Sequence, residues 1–359
     1  MSASQHSPWE FLDEFRGSLF SGEWPTLPEL FEIPAQRYPD RYAFTVYEPN
    51  RVSLSYRDAL DRIVEVAGYL NQNGVAHGDR VALSGKNSPE WAIAYLAVLY
   101  AGAVVVPIDY QLSDEEVENL LRASDTKLLF VDEEKYDKFA GGDTSFGGPV
   151  RSLSPKKDGY IYSLSGSLDE RWQPARVEEL AAILFTSGTT GRPKGVMLTH
   201  KNFVSDCFLA QFNLNIHHTD VFYALLPIHH SYCMLAVFIE SFSVGAETVF
   251  GKRLAISQVL SDLREAGVTM FLGVPMLFNK LLNGILSGIR DKGPLVYGVI
   301  RTLMALSGGV KKLTGKNPGK GLFHSILEKA SLSTIRICIS GGGPLAPSVF
   351  RQYNQLGID

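Results

Sequence analysis

Along the chain, apolar and polar positions switch between two periods, and the switching outlines the fold. Ser55, with Asp58 three residues on, resembles a capping box; Ala59, Leu60, Ile63, Val64, Ala67 and Leu70 then recur at helical spacing. Gly74 closes that helix, and residues 80–83 read as a strand. Residues 91–108 carry no charge, which brings them to the lower edge of the length that spans a membrane. Their punctuation favours another reading. Asn87-Ser88-Pro89-Glu90 starts a helix, Gly102 breaks it, and Val104-Val105-Val106-Pro107 forms a short buried strand. Ser113 with Asp114, Glu115 and Glu116 starts a further helix ahead of a strand over 127–131.

From about 144 to 170, Gly, Ser, Pro and Lys dominate, which reads as a surface connection between lobes. The alternation then resumes, with strands over 221–226, 248–250, 268–272 and 335–339 and helices over 232–243, 257–266 and 275–286. Strands alternating with helices predict an α/β fold of two tandem doubly wound lobes, with largely parallel sheets packed together. The first lobe is placed at 1–180 and the second at 181–359, with no short-period repeat.

Composition changes this picture little. Of 359 residues, 45% are hydrophobic and 20% charged, and the net charge of -4 excludes the basic surplus of a general nucleic-acid binder. Cys207, Cys233 and Cys338 are odd in number and widely separated, so they form neither a disulfide framework nor a zinc spacing, and a reducing, cytoplasmic setting fits. The first residues lack the apolar run of a secretory signal.

The strongest chemical signal is Thr186-Ser187-Gly188-Thr189-Thr190-Gly191-Arg192-Pro193-Lys194-Gly195, entered from the apolar strand over 181–185 and left by a second strand. Such a loop can turn several backbone N–H groups and hydroxyls onto one anion, with Lys194 as a point charge. It is not a Walker loop, because Gly195 rather than Ser or Thr follows Lys194 and a strand rather than a helix comes next. A plain hairpin tip is the bland alternative, but two to five turn residues suffice for that. His229 and His230 follow a predicted strand directly, where α/β proteins place ligands; a packed or solvated loop pair is the alternative. Pairing them with His217 and His218 around a metal lacks an acidic or cysteine ligand at a recognised spacing.

At the 186–195 segment the chain resembles the adenylate-forming superfamily of acyl-CoA synthetases, luciferases and peptide-synthetase adenylation domains. The likeness extends to Leu54-Ser55-Tyr56, to the segment from Tyr100 through Val104-Val105-Val106-Pro107-Ile108-Asp109, to Pro227-Ile228-His229-His230-Ser231-Tyr232 and to Ser340-Gly341-Gly342-Gly343-Pro344-Leu345. The resemblance implies that a carboxylate attacks the α-phosphorus of ATP, anion upon anion, and that a thiol, typically coenzyme A, then takes the acyl group. Alignment and charge neutralisation supply most of the help such a reaction needs. By resemblance, Thr186, Ser187, Gly188, Thr189, Thr190, Gly191 and Lys194 hold the phosphates, and Thr186 also serves Mg2+. Thr186, Lys194 and His230 form the catalytic set, His230 meeting the carboxylate near the α-phosphate while His229 is structural. Gly341, Gly342, Gly343 and Pro344 flank adenine, and His230, Tyr232, Gly273 and Val274 face the acyl group.

Amino-acid-activating relatives carry an aspartate in the acyl-site motif, whereas Ile228-His229-His230-Ser231 has no acid. Tyr232, Met234, Leu235, Phe238 and Ile239 could wall an apolar acyl tunnel, although a buried helix has the same composition. The 273–277 segment is similar to long-chain fatty acyl-CoA synthetases, so a long-chain-fatty-acid–CoA ligase is expected. Other carboxylic acid–CoA or acyl-AMP ligases are the alternative, and a non-catalytic nucleotide-binding or membrane-associated module is an alternative of another class. Between 286 and 330, Arg290, Lys292, Arg301, Lys311, Lys312, Lys316, Lys320 and Lys329 stand against only Asp291 and Glu328, beside apolar residues at helical spacing. That basic insertion reads either as a peripheral contact with an anionic membrane or as a solvated helix packed on its lobe. The family's magnesium glutamate, ribose aspartate and lid lysine have no counterpart before Asp359. The chain is therefore expected to be an N-terminal domain without its C-terminal lid, with negligible ligase activity alone.

Overall fold

A computed structural model describes residues 10–168, 172–186, 193–252 and 255–358. The strands, in chain order, are β1 Tyr42–Val46, β2 Val52–Ser55, β3 Arg80–Ser84, β4 Val104–Ile108, β5 Thr126–Val131 and β6 Val150–Ser152. They continue with β7 Leu180–Thr186, β8 Lys194–Thr199, β9 Val221–Ala224, β10 Glu247–Phe250, β11 Met270–Gly273 and β12 Ile337–Ser340. Helices separate most of them, so the α/β class with largely parallel sheets holds. The chain divides into two compact units, one of Met1–Thr219 with Pro227–Lys252 and the other of Asp220–Leu226 with Arg253–Asp359.

In the first unit, one sheet runs β6-β5-β3-β4-β7-β8, parallel except for the antiparallel β7–β8 edge. A second sheet of this unit pairs β1 with β10 in parallel and with β2 antiparallel. Between these sheets lies the helix Pro89–Tyr100, in contact with β1, β3 and β4 and buried along Trp91–Leu99. A helix apolar all round has to be enclosed. That is why the uncharged 91–108 stretch is a core helix followed by β4, and among the described residues no helix is long and apolar enough to cross a membrane. The Ser88 hydroxyl accepts the Trp91 N–H and Pro89 occupies the first turn, as the sequence predicts. The capping boxes at Ser55 and Ser113 form as well.

Two expectations change. Strands β7 and β8, placed at sequence level in a lobe beginning at 181, belong to the first sheet, because β7 pairs in parallel with β4 through Val105 and Ala182. The 144–170 stretch is more than a surface connection. It supplies edge strand β6 and buries Leu153, Ile161 and Leu164. Gly166 lies backbone to backbone on Gly68 of the helix Tyr56–Gln72: a Cβ on Gly68 would stand 2.4 Å from the Gly166 carbonyl oxygen. Turn-like composition concealed this close approach, which only glycines permit.

In the second unit β12-β11-β9 are parallel, and a buried network holds their N-terminal ends. Arg336 donates to both oxygens of Asp220 at 3.1 and 2.6 Å. The Thr269 hydroxyl donates to Asp220 at 2.6 Å and accepts the Val221 N–H at 2.9 Å. The helix Pro294–Thr314 occupies the basic insertion; Met304 and Ser307 are buried, while Leu295, Val299, Leu306, Val310 and Leu313 form an exposed stripe.

His200 opens the helix His200–Asn213 and is fully buried. Its Nδ1 accepts the Leu27 N–H at 3.1 Å, and its Nε2 has no hydrogen-bond partner among the described residues. Burial, opposed by Glu179, pushes the imidazole down to about 4. The unfolded chain binds a proton near pH 6.5 that the native state refuses until about 4, so this residue costs stability as pH falls through that window. Urea denaturation between pH 7 and 4.5 checks it. The midpoint should fall with pH, and His200→Gln, which keeps an acceptor for Leu27, should flatten the slope.

Candidate active site

The residues with chemistry in the first unit stand at the C-terminal ends of its parallel strands, where α/β sheets present ligand sites. Thr186 ends β7 and Lys194 begins β8; the two are partners in the last rung of the ladder, and both are exposed. The Thr186 hydroxyl points back toward the Lys194 carbonyl oxygen at 3.5 Å. Gly195 beside it faces Phe185, where a Cβ would meet Ile183 Cγ2 at 2.8 Å. Of the expected phosphate loop, Ser187, Gly188, Thr189, Thr190 and Gly191 lie outside the described residues. The strands on either side of it, β7 and β8, are the ones the sequence predicts.

Two residues that sequence reasoning treated as structural help to build the site. Asn87, after β3, accepts the Ile228 N–H on its side-chain oxygen at 3.0 Å, which anchors the His229–His230 turn. Asp109, after β4, has an oxygen 3.6 Å from His229 Nε2, and that same oxygen accepts the Gln111 N–H at 2.9 Å. Tyr110 meets His229 edge to face with ring centroids 6.1 Å apart, and His229 lies 4.3 Å from the His230 ring. The available signal was position: Asn87 and Asp109 each follow a strand closely.

The two histidines have different surroundings. His229 is buried, His230 exposed. Burial and the adjoining His230 outweigh the attraction of Asp109 and lower the His229 imidazole to about 4. At neutral pH the pair is a neutral ring beside a carboxylate rather than an ion pair. After His230 the predicted helix over 232–243 forms with a π-helical turn at Met234–Ile239. Phe238 from that turn packs on Trp91 and Tyr95 of the central helix, at 5.8 and 5.4 Å between ring centroids. The half-buried Tyr232 keeps a hydroxyl with no hydrogen-bond partner among the described residues.

In the second unit, the expected adenine and acyl residues are neighbours. Gly273 pairs with Ser340 at the ends of β11 and β12, and the Gly341 N–H donates to the Gly273 carbonyl at 3.1 Å. Gly342 has φ +73°, and a Cβ there would face Val274 at 3.6 Å; one on Gly343 would face Pro275 at 3.8 Å. Gly342, Gly343 and Pro344 are exposed, and the buried Ser340 hydroxyl lacks a hydrogen-bond partner among the described residues. An exposed glycine backbone at two parallel strand ends leaves room for a planar ring. His230 and Tyr232 belong to the first unit, Gly273 and Val274 to the second.

Residues 31–359 match the AMP-binding enzyme family, and the chain belongs to it. Among curated relatives, 4-coumarate–CoA ligase CCL1 of Humulus lupulus is 32% identical over 237 residues, covering 62% of this chain and 42% of that protein. Long chain acyl-CoA synthetase 6, peroxisomal, of Arabidopsis thaliana is 26% identical over 325 residues, covering 82% and 45%. The chain thus spans about half the length of the curated relatives it matches. Apo MatB from Rhodopseudomonas palustris has a similar fold, with TM-score 0.70 and 24% identity over 92% of this chain and 57% of that one.

Asn87→Ala should remove the acceptor for Ile228 and lower stability by about 1–3 kcal/mol. In NMR spectra it should shift the ring signals of His229 and His230 while leaving those of His324 in place.

Proposed function

We propose that the chain serves an ATP-dependent acid–thiol ligase that converts a long-chain fatty acid to its acyl adenylate and passes the acyl group to coenzyme A. The observation that carries this reading is the β7–β8 hairpin of an AMP-binding enzyme, with Thr186 and Lys194 exposed side by side at its mouth. Coenzyme A as acceptor follows the names of the two curated relatives. A long aliphatic acid follows the second of those names, together with the acid-free 228–231 turn and the apolar π-helical segment behind it.

Roles are assigned within each unit. Lys194, with the 187–191 loop, offsets phosphate charge. Thr186 fits Mg2+, a hard ion that takes oxygen ligands, through its exposed hydroxyl; the ion would neutralise charge on the phosphates there. His230, exposed on a turn held by Asn87, donates to the substrate carboxylate, and the buried neutral His229 fixes the ring beside it. In the second unit the Gly341–Gly342–Gly343–Pro344 segment takes adenine, and Gly273 and Val274 take part of the acyl chain. Attack of one anion on another is helped by such fixed charges and dipoles rather than by covalent chemistry.

The exposed stripe of Pro294–Thr314, flanked by lysines, is assigned to the surface of an anionic membrane, where a fatty acid resides. Lys311 is bonded to the Asn354 side chain, and Lys320 donates to the Ile335 carbonyl at 2.9 Å, whereas Lys312 and Lys316 near the end of the helix are exposed toward solvent.

Two measurements test this reading. Calorimetry with non-hydrolysable acyl-adenylate analogues should give tighter binding for a palmitoyl than for a coumaroyl analogue. Lys194→Ala should weaken ATP binding about 10- to 100-fold, as expected for a lost charge-assisted contact. The reverse acyl preference would transfer the assignment to another carboxylic acid, and failure of every nucleotide to bind would remove the ligase reading. Separately, sedimentation with phosphatidylglycerol vesicles should be lost in Lys312→Glu/Lys316→Glu/Leu313→Ser. Equal sedimentation of the variant would leave the helix a solvated insertion.

A further inference from the structure

Asp109, His229 and His230 each present one donor atom, and the three atoms lie within 4.8 Å of one another. We propose that they form a binding site for a divalent transition-metal ion, with Zn2+ as the representative, different in donor chemistry from a Mg2+ on the phosphates.

The donor set decides the class of ion. Two imidazole nitrogens and one carboxylate suit zinc, cobalt or nickel, whereas magnesium prefers oxygen alone. Tetrahedral zinc with bonds of about 2.1 Å holds its ligands about 3.4 Å apart, so closing the cluster from within 4.8 Å takes a contraction of up to about 1.4 Å. Three protein ligands would leave one position open to water or to a carboxylate.

His229 gives the site its second support. Its side chain is 3% exposed, yet Nε2 is buried without a hydrogen-bond partner among the described residues and faces Asp109 at 3.6 Å, too long for a hydrogen bond. A buried imidazole nitrogen left in this state is costly, and coordination would satisfy it. The surroundings orient the ligands as metal sites require. The Gln111 N–H holds the Asp109 carboxylate, Tyr110 braces the His229 ring, and the bond from Ile228 to Asn87 fixes the turn carrying both histidines. An ion can enter from the side of His230, which is exposed.

The site deepens the picture of His230. A bound zinc ion would occupy the ring that the ligase reading aims at the substrate carboxylate, making the metal an inhibitor that competes with the acid. Binding itself does not depend on that reading and is measured without turnover.

The experiment is a Co2+ titration of the chain followed by visible absorption, with Zn2+ displacement for affinity. One ion per chain should bind with the spectrum of a nitrogen–oxygen tetrahedral or five-coordinate site. His230→Ala, at an exposed position, and Asp109→Asn, of equal size, should each weaken binding at least about 10-fold, the minimum known for changes that only orient ligands. His217→Ala/His218→Ala should bind as the parent does. Absence of the cobalt bands, or bands unchanged in both His230→Ala and Asp109→Asn, would overturn the site. If the metal binds as described while acyl-adenylate analogues do not, the ligase reading falls and the metal site stands.

Discussion

The first unit is organised by one requirement: the uncharged helix Pro89–Tyr100 must be kept from water on every side. At roughly 25 cal/mol per Å2 of apolar surface, leaving Trp91, Ile93, Tyr95, Leu96, Val98 and Leu99 wet would cost several kcal/mol more than a single face can recover. The β3–helix–β4 crossover covers one side and the β10-β1-β2 sheet another. The aromatic side chains of the π-helical turn close over Trp91 and Tyr95.

The candidate site is a consequence of that enclosure. Because the helix is threaded between β3 and β4, Asn87 and Asp109 arrive just beyond the two strand ends that flank it. Because Phe238 and Met234 must reach its surface, the turn preceding them, with His229 and His230, is carried to the same edge, where Asn87 captures its backbone. Packing therefore sets the polar geometry. The result is a buried neutral imidazole next to an exposed one, beside a carboxylate and at the edge where β7 delivers Thr186. In the second unit a polar device does the comparable work: Asp220, satisfied by Arg336 and Thr269, aligns the strands whose other ends carry Gly273 and Gly341.

Legibility differed sharply among residues. The β7–β8 pair could be read directly, since two strands flank a run of glycines and hydroxyls, and the pairing of Thr186 with Lys194 follows from the antiparallel ladder. The alternation of strand and helix was equally plain because its signals lie within a few residues: capping at Ser55, Ser88 and Ser113, and a break at Gly102. Asn87 and Asp109 were visible as residues, but one looked like a helix start and the other like the end of a strand motif. Their partners are more than a hundred positions away. The 144–170 segment was misread for the opposite reason. Its turn-rich composition is genuine, yet Gly68 and Gly166 use their missing side chains for backbone contact, and local composition does not distinguish those two uses of glycine.

By itself the sequence determined what depends on neighbours along the chain: the elements and their caps, the α/β class and the burial of an uncharged helix. Tertiary structure alone decided which strand ends share an edge, that β7 and β8 complete the first sheet, and that Asp109 meets the histidine pair. It also made His229 neutral and His230 open to ligands. Those properties arise from desolvation and from contacts between distant segments, and both exist only once the chain has closed around its buried helix.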